Sequence, residues 1–127
     1  MAVLSGTVHS VHTVKSDALS SLQVAEILFT VSGTYAQGDN AILSGVGDLI
    51  EASRRNGKAC TLVAGMPSTP ATKASDPSAI MGLKTVAVSS ADLTFEITDG
   101  DFSTEIASAA LPSQDRPFAL LVAFTEA

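Results

Sequence analysis

Two histidines near the start of the chain carry the first side chains that could bind a metal. His9 and His12 lie three positions apart, in a segment rich in the β-branched residues that favour strands. Residues three apart on a regular strand point to opposite faces, so the two imidazoles should not share one ion. No third ligand lies near them in sequence. We therefore expect polar strand positions or interface residues here, and no metal site.

Oxygen-bearing side chains at Asp99, Asp101 and Ser103 alternate as they do at the start of a calcium-binding loop. The complete loop requires a glycine where this chain has Thr104, and a bidentate glutamate where it has Ala110. A turn followed by the start of a helix accounts for the same residues. The spacing favours that turn, and calcium binding is the alternative.

The segment LSGVG at residues 43–47 places a serine beside glycines, as nucleophile elbows and phosphate-binding loops do. An elbow also requires glycine two positions before the serine, where this chain has Ile42. A phosphate-binding loop ends in Gly-Lys followed by Ser or Thr, and this segment does not. The segment therefore matches neither motif.

Cys60 is the only cysteine, so no disulfide can form within the chain. It lies in an apolar run, where a thiol usually behaves as a small buried hydrophobic group. No histidine near it in sequence would activate it, and no pairing of a histidine with a carboxylate indicates acid–base catalysis. The sequence therefore predicts no catalytic, cofactor-binding or metal-binding residues, and we expect that the protein is not an enzyme.

Acidic residues dominate the charge of the chain and are concentrated in one segment. The formal net charge is −6 at pH 7, and residues 92–105 contain five acids and no base. Such a surface repels the phosphate backbone of nucleic acids. The basic cluster of Arg54, Arg55 and Lys58 is accordingly interpreted as helix capping or an ion pair between subunits, and not as a nucleic-acid contact.

Strands account for most of the elements that must position these residues. Val3–Val14 and Gln23–Ser32 are predicted as an antiparallel pair, and alternation in the second strand places residues 25, 27, 29 and 31 on one face. Further strands are expected at Lys58–Ala64, Lys84–Val88, Leu93–Thr98 and Phe118–Phe124. The last of these is nearly all apolar, which predicts a central position in its sheet.

One capped helix is predicted at about residues 39–56, with Asp39 as its N-cap. Its apolar stripe would contain Ile42, Val46, Leu49 and Ile50, and Asn56-Gly57 would end it in the left-handed conformation. Glycines are unfavourable inside a helix, so Gly45 and Gly47 predict close packing of this helix on a sheet. Residues 103–111 are compatible with a short second helix closed by Pro112.

The predicted fold class is α+β and mainly β, with an antiparallel sheet or sandwich covered by the helix. Residues 66–78 (MPSTPATKASDPS) contain three prolines among small residues and are predicted to form an exposed loop or arm. The 127 residues are expected to form a single domain. No basic segment precedes a long apolar stretch, so we expect no signal peptide, no membrane span and synthesis in a cytoplasm.

Three stretches carry a resemblance to a known group of proteins. FTVSGTYAQGDNA, then a helix ending in SRRNGKACTLV, then GLKTVAVSSADLTFEITDGDFSTE resemble small virion structural proteins of tailed bacteriophages, over Phe29 to Glu105. The resemblance implies a non-enzymatic protein that decorates or cements the capsid. It implies the major capsid protein as partner, a homo-oligomer with a trimer favoured, and a place in the virion after synthesis in the host cytoplasm. It implies no catalytic residues.

Two other roles stay open at this stage. One is a tail or head-completion component of the virion, because the resemblance includes no motif specific for a capsid cement. The other is a small ligand-binding or enzymatic module, which would need a polar pocket with converging carboxylates or histidines. If the virion role is right, the segment Met1–Val8 and the arm at residues 66–78 are expected to reach neighbouring subunits.

Overall fold

The computed structural model describes residues 2–14, 22–55, 57–89 and 91–126, and it is mainly β with one helix. This confirms the predicted fold class. The strands, in chain order, are β1 (Ala2–Val3), β2 (Ser5–Val14), β3 (Leu22–Ser32), β4 (Thr34–Tyr35), β5 (Ala41–Leu43), β6 (Cys60–Thr69), β7 (Ala71–Lys73), β8 (Asp76–Ser89), β9 (Asp92–Thr98), β10 (Ala109–Ala110), β11 (Gln114–Arg116) and β12 (Phe118–Glu126), and the helix is α1 (Val46–Arg54).

Two larger sheets make up most of the fold. The first has four strands in the order β2-β3-β12-β6, and every pairing in it is antiparallel. The second has six strands in the order β1-β5-β9-β8-β7-β11, in which the β1–β5 pairing is parallel and the others are antiparallel. The short strands β4 and β10 form a separate pair. The predicted central position of the last strand is confirmed.

The core follows from the alternation of the strands. Ala25, Ile27, Phe29 and Val31 are all buried, as predicted for one face of β3, and they join a single hydrophobic cluster with residues of the second sheet. Phe29 lies at its centre, with its ring centroid 6.0 Å from that of Phe95 on β9 and 5.5 Å from that of Phe118 on β12. Aromatic pairs at these separations add stabilisation beyond their buried area.

The predicted start of the helix at residue 39 is wrong, because α1 begins at Val46. Residues 41–43 form β5, which pairs with Leu93–Phe95 of β9, so Ile42 belongs to a strand and not to the helical stripe. Gly45 stands at the N-cap with φ 77°, a left-handed conformation in which glycine is favoured. Leu49 is 40% exposed and also lies outside the buried stripe.

Close packing at Gly47 is confirmed. A Cβ atom added there would lie 3.0 Å from Cβ of Ala91 and 3.3 Å from the carbonyl oxygen of Cys60. The N–H of Gly47 donates to the carbonyl of Ala91 at 3.0 Å. At the other end, the C-cap is Arg55 with φ 57° and not Asn56-Gly57; Asn56 itself lies outside the described residues.

The prediction of a second helix at residues 103–111 is also wrong. Within that range the described chain forms an irregular loop and the strand β10, which pairs with β4. The backbone N–H groups of Ser103 and Thr104 donate to the carboxylate of Asp101, and Ile106 donates to the carbonyl of Ile97 at 3.0 Å. These contacts hold the segment against β9 and leave no continuous helical hydrogen-bonding.

Residues 66–78 form strands and a tight turn, so the prediction of a loop or arm is wrong for their backbone. The segment comprises the end of β6, all of β7, a turn at residues 74–75 and the start of β8. Pro67 is tolerated because β6 is an edge strand of its sheet. Met66, Pro67 and Ser68 are exposed as predicted, whereas Ala71 and Thr72 are buried, contrary to the prediction.

Candidate interaction surface

Both histidines lie on the same side of the first sheet, contrary to the prediction from strand alternation. A β-bulge between Val8 and Ser10 shifts the register of β2 against β3, and Val8 and Val11 both pack against the core as a result. His9 approaches Thr30 with its Nε2 atom 3.0 Å from Oγ1, and His12 lies opposite Glu26. Across the described residues, no three His, Cys, Asp or Glu side chains converge as metal ligands.

The Asp99–Ser103 segment is a turn, as the spacing favoured. One carboxylate oxygen of Asp101 accepts from the N–H groups of Ser103 and Thr104 at 2.9 and 2.8 Å. The other accepts from the Thr104 hydroxyl at 2.6 Å. These hydrogen bonds lower the pKa of Asp101 to about 2, because they stabilise the ionised carboxylate.

The basic cluster is partly used inside the chain. Arg54, in the last turn of α1, forms an ion pair with Glu126 at 2.6 Å, and the amide of Gln23 donates to the same carboxylate. This ties the helix to the end of β12. Burial, and next the charge of Glu126, raise the pKa of the Cys60 thiol. Cys60 is therefore a half-buried, unactivated thiol.

Two polar side chains complete the sheets at places where a neighbouring strand stops. Beyond Phe29 the strand β3 has no partner on the β12 side, and the carboxamide of Gln114 accepts from the N–H of Val31 at 2.7 Å and donates to its carbonyl at 3.0 Å. On β9, beyond the end of β5, the N–H of Ile97 donates to the hydroxyl of Tyr35 at 3.1 Å.

Tyr35 also anchors the loop that follows β9. Its hydroxyl is fully buried and donates to one carboxylate oxygen of Glu105 at 2.6 Å, while the other oxygen accepts from the N–H of Gly38 at 2.8 Å. Burial, and then the hydrogen bond to Glu105, raise the pKa of Tyr35 well above its usual value. No sequence signal indicates this contact, because no local pattern relates residues 70 positions apart.

The side of the four-stranded sheet that points away from the core is here called the outer face. Around β12 it forms a shallow depression of about 200 Å³. Met66, beside this depression, is 58% exposed. The lining residues are all apolar, and they come from three neighbouring strands: Val24, Ala64, Gly65, Met66, Leu121 and Ala123.

The strand β12 is therefore apolar on both sides, although the described residues of the chain cover only one of these two sides. Leu120, Val122 and Phe124 are fully buried in the core, whereas Leu121 and Ala123 point to the outer face. Antiparallel strands with one solvated face normally alternate apolar and polar residues, and continuous apolar runs are typical of strands covered on both faces. The run FALLVAF is the sequence signal for this surface, although by itself it predicts only a central strand.

Two other concave regions accompany the outer face. A slot of about 210 Å³ beside Gln114 is lined mainly by the hydroxyl groups of Ser5, Thr7, Thr30, Ser32 and Ser113. A groove of about 300 Å³ lies between residues 67–70 and Leu83, with Phe102 at its rim. Phe102 is 48% exposed and has φ 58°, which is unusual for a bulky side chain.

Comparison of the chain with models of protein families, with curated proteins and with solved structures finds no match. Among the described residues, no helix is both long enough and apolar enough to cross a membrane.

Proposed function

We propose that this protein is a structural component of a tailed-phage virion that binds the major capsid protein and stabilises the capsid as a decoration or cement protein. The observation that carries the proposal is the apolar outer face around Leu121, a surface suited to contact with other protein. The resemblance of Phe29–Glu105 to small phage virion proteins is the reason for proposing a phage virion as the particle. The work of such a protein is cohesion, and the proposal assigns no reaction to it.

The outer face can contribute to assembly through ordinary hydrophobic burial. Val24, Leu121 and Met66 retain accessible apolar surface, and each large apolar side chain that becomes fully buried contributes on the order of 2 kcal/mol. The small side chains of Ala64 and Ala123 between them allow another surface to approach closely. A hydrophobic centre of this kind with a polar rim is the usual anatomy of a protein interface.

The rim of the outer face is polar on the side of β2. Thr7, Ser10 and His12 lie there, and Thr30 follows on β3. These hydroxyl and imidazole groups can exchange hydrogen bonds with water in the free protein and with partner groups after assembly. The surface therefore suits reversible addition to a preformed shell.

Co-sedimentation with capsids tests the proposal. Capsids are taken from a phage whose head genes lie beside the gene for this chain, and the bound copies of this protein are removed from them. Purified protein is then added back to these capsids. We expect saturable binding with a fixed number of copies per capsid. Purified tails of the same phage serve as the control, because binding to tails and not to capsids would instead support the tail component. Folded protein that binds neither particle would contradict the proposal.

A further inference from the structure

We infer that Glu26 on the outer face receives a cationic side chain of the major capsid protein and forms an ion pair with it inside the interface. This inference rests on the proposed function, and it specifies the chemistry of the partner surface. Three features of the described residues lead to it: the position of Glu26, the state of its carboxylate within the chain, and the charges carried by the four strands of the sheet.

Glu26 lies between the polar rim and the apolar depression of the outer face. In register it is opposite His12 of the rim on one side and opposite Leu121 of the depression on the other. The next outward residues on its own strand are Val24 and Leu28, which are half-buried as Glu26 is. Side chains that are directly opposite lie about 5 Å apart, so a surface that covers Leu121 also removes water from the carboxylate of Glu26.

The carboxylate of Glu26 is unpaired within the described part of the chain, where no hydrogen bond or ion pair joins it to another residue. The other carboxylate on these four strands, Glu126, is held by Arg54 and Gln23. His12 could balance the charge of Glu26 only in its protonated form. A carboxylate that loses its water without gaining a partner is strongly unfavourable. At neutral pH and above, the countercharge for Glu26 therefore comes from another molecule.

The source of this cation is a different protein and not the outer face of a second copy. The strands β2, β3, β6 and β12, as the structure defines them, contain no lysine or arginine. Two outer faces placed together would therefore bring no permanent countercharge to Glu26. A basic side chain of the capsid protein supplies it, and arginine suits the position best. Its guanidinium binds a carboxylate through two parallel hydrogen bonds, and arginine is enriched in protein interfaces whereas lysine is depleted.

An ion pair at Glu26 and a purely hydrophobic contact predict opposite effects of one substitution. In a purely hydrophobic contact the carboxylate only loses its hydration, which is unfavourable, so Glu26→Leu would strengthen binding. If a cation of the partner pairs with Glu26, the same substitution leaves that cation buried without its partner, and binding becomes weaker. The loss of one member of a buried charge pair acts mainly on the dissociation rate.

The test measures the rates at which the full chain binds to and dissociates from immobilised capsids that have been freed of bound copies. It is made at about pH 8, where histidine is largely neutral. We expect Glu26→Leu and Glu26→Gln each to weaken binding at least about thirtyfold, through faster dissociation. Glu26→Lys should abolish binding, because it places like charges together. The matched control is Glu96→Gln, which removes the same charge from a half-buried position on β9 of the other sheet and should dissociate as wild type does.

Circular dichroism separates a change in binding from a change in folding, and Glu26→Gln, which is closest in shape to wild type, decides the matter if Glu26→Leu does not fold. Folded Glu26→Leu that binds as tightly as wild type, or more tightly, would overturn the inference. An equal loss in Glu96→Gln would also overturn it, because attraction by net charge alone would then explain both results. In these two cases wild-type protein still binds capsids and the proposed function stands. Wild-type protein that binds no capsids would overturn both.

Discussion

The buried hydroxyl of Tyr35 should contribute strongly to the stability of this fold, because it is hydrogen-bonded to both Ile97 and Glu105. In Tyr35→Phe the ring keeps its packing, but the N–H of Ile97 loses its acceptor inside the core. A buried donor without a partner costs about 1 to 3 kcal/mol, and a hydrogen bond to a charged group contributes about 1.5 to 3 kcal/mol. Glu105 is half exposed and regains water, so we expect a total loss of about 3 kcal/mol.

Urea unfolding at pH 7 measures this loss directly. With a slope of about 1 to 3 kcal/mol per molar urea, the midpoint of Tyr35→Phe should fall by roughly 1 to 3 M with the slope unchanged. The neighbouring exposed residue provides the control, because Thr34→Ala should stay within about 0.5 kcal/mol of wild type. Glu105→Gln keeps an acceptor for the hydroxyl and should lose less than Tyr35→Phe. Equal midpoints for Tyr35→Phe and Thr34→Ala would refute the reasoning.

Three further predictions concern stability. Gln114→Ala should lower the free energy of unfolding by about 2 to 4 kcal/mol, because the N–H and the carbonyl of Val31 both lose their partners. Gln114→Glu keeps the acceptor for the N–H and should lose less; equal losses would show that this acceptor contributes nothing. Gly47→Ala should destabilise the protein although alanine favours helices by about 1 kcal/mol, since the new methyl group would press on Ala91; a higher melting temperature would contradict this. Because folding lowers the pKa of Asp101, its carboxylate should contribute fully to the free energy of unfolding above about pH 4 and lose this contribution as the pH falls towards about 2. The stability difference between wild type and Asp101→Ala should therefore shrink over that interval and stay constant above it.

Strand alternation made the first sheet predictable. The pattern of Ala25, Ile27, Phe29 and Val31 indicates a half-buried strand without further information, and the apolar run of β12 indicates a central one. The position of His9 was not predictable in the same way. A bulge depends on the pairing with β3, which the local sequence does not determine.

The helix start was misplaced because a short apolar run fits both a helix and a strand. Residues 41–43 follow a good capping residue, Asp39, and match a helical stripe. Their pairing with β9, about 50 positions later in the chain, decides in favour of a strand. The strands within residues 66–78 were not predicted for a related reason, since prolines indicate loops. Here Pro67 lies on the edge strand β6, and Pro70 falls between β6 and β7.

Only part of the candidate surface could be predicted from the sequence. The run FALLVAF predicts burial, but it does not show that the outer side of β12 lacks a cover within the chain. That requires the pairing with β3 and β6, which brings Val24, Ala64 and Met66 beside Leu121. The contact between Tyr35 and Glu105 could not be predicted, because it joins β4 to the loop after β9 and only the tertiary fold brings the two together.

Hydroxyl-radical footprinting of Met66 tests most directly whether the outer face is covered in the assembled state. Oxidation is compared by mass spectrometry between free protein at low concentration and protein bound to capsids. Met66, which is 58% exposed, should become protected on assembly, while the buried Met81 is protected in both states and serves as the internal standard. Equal oxidation of Met66 in free and assembled protein would contradict the account.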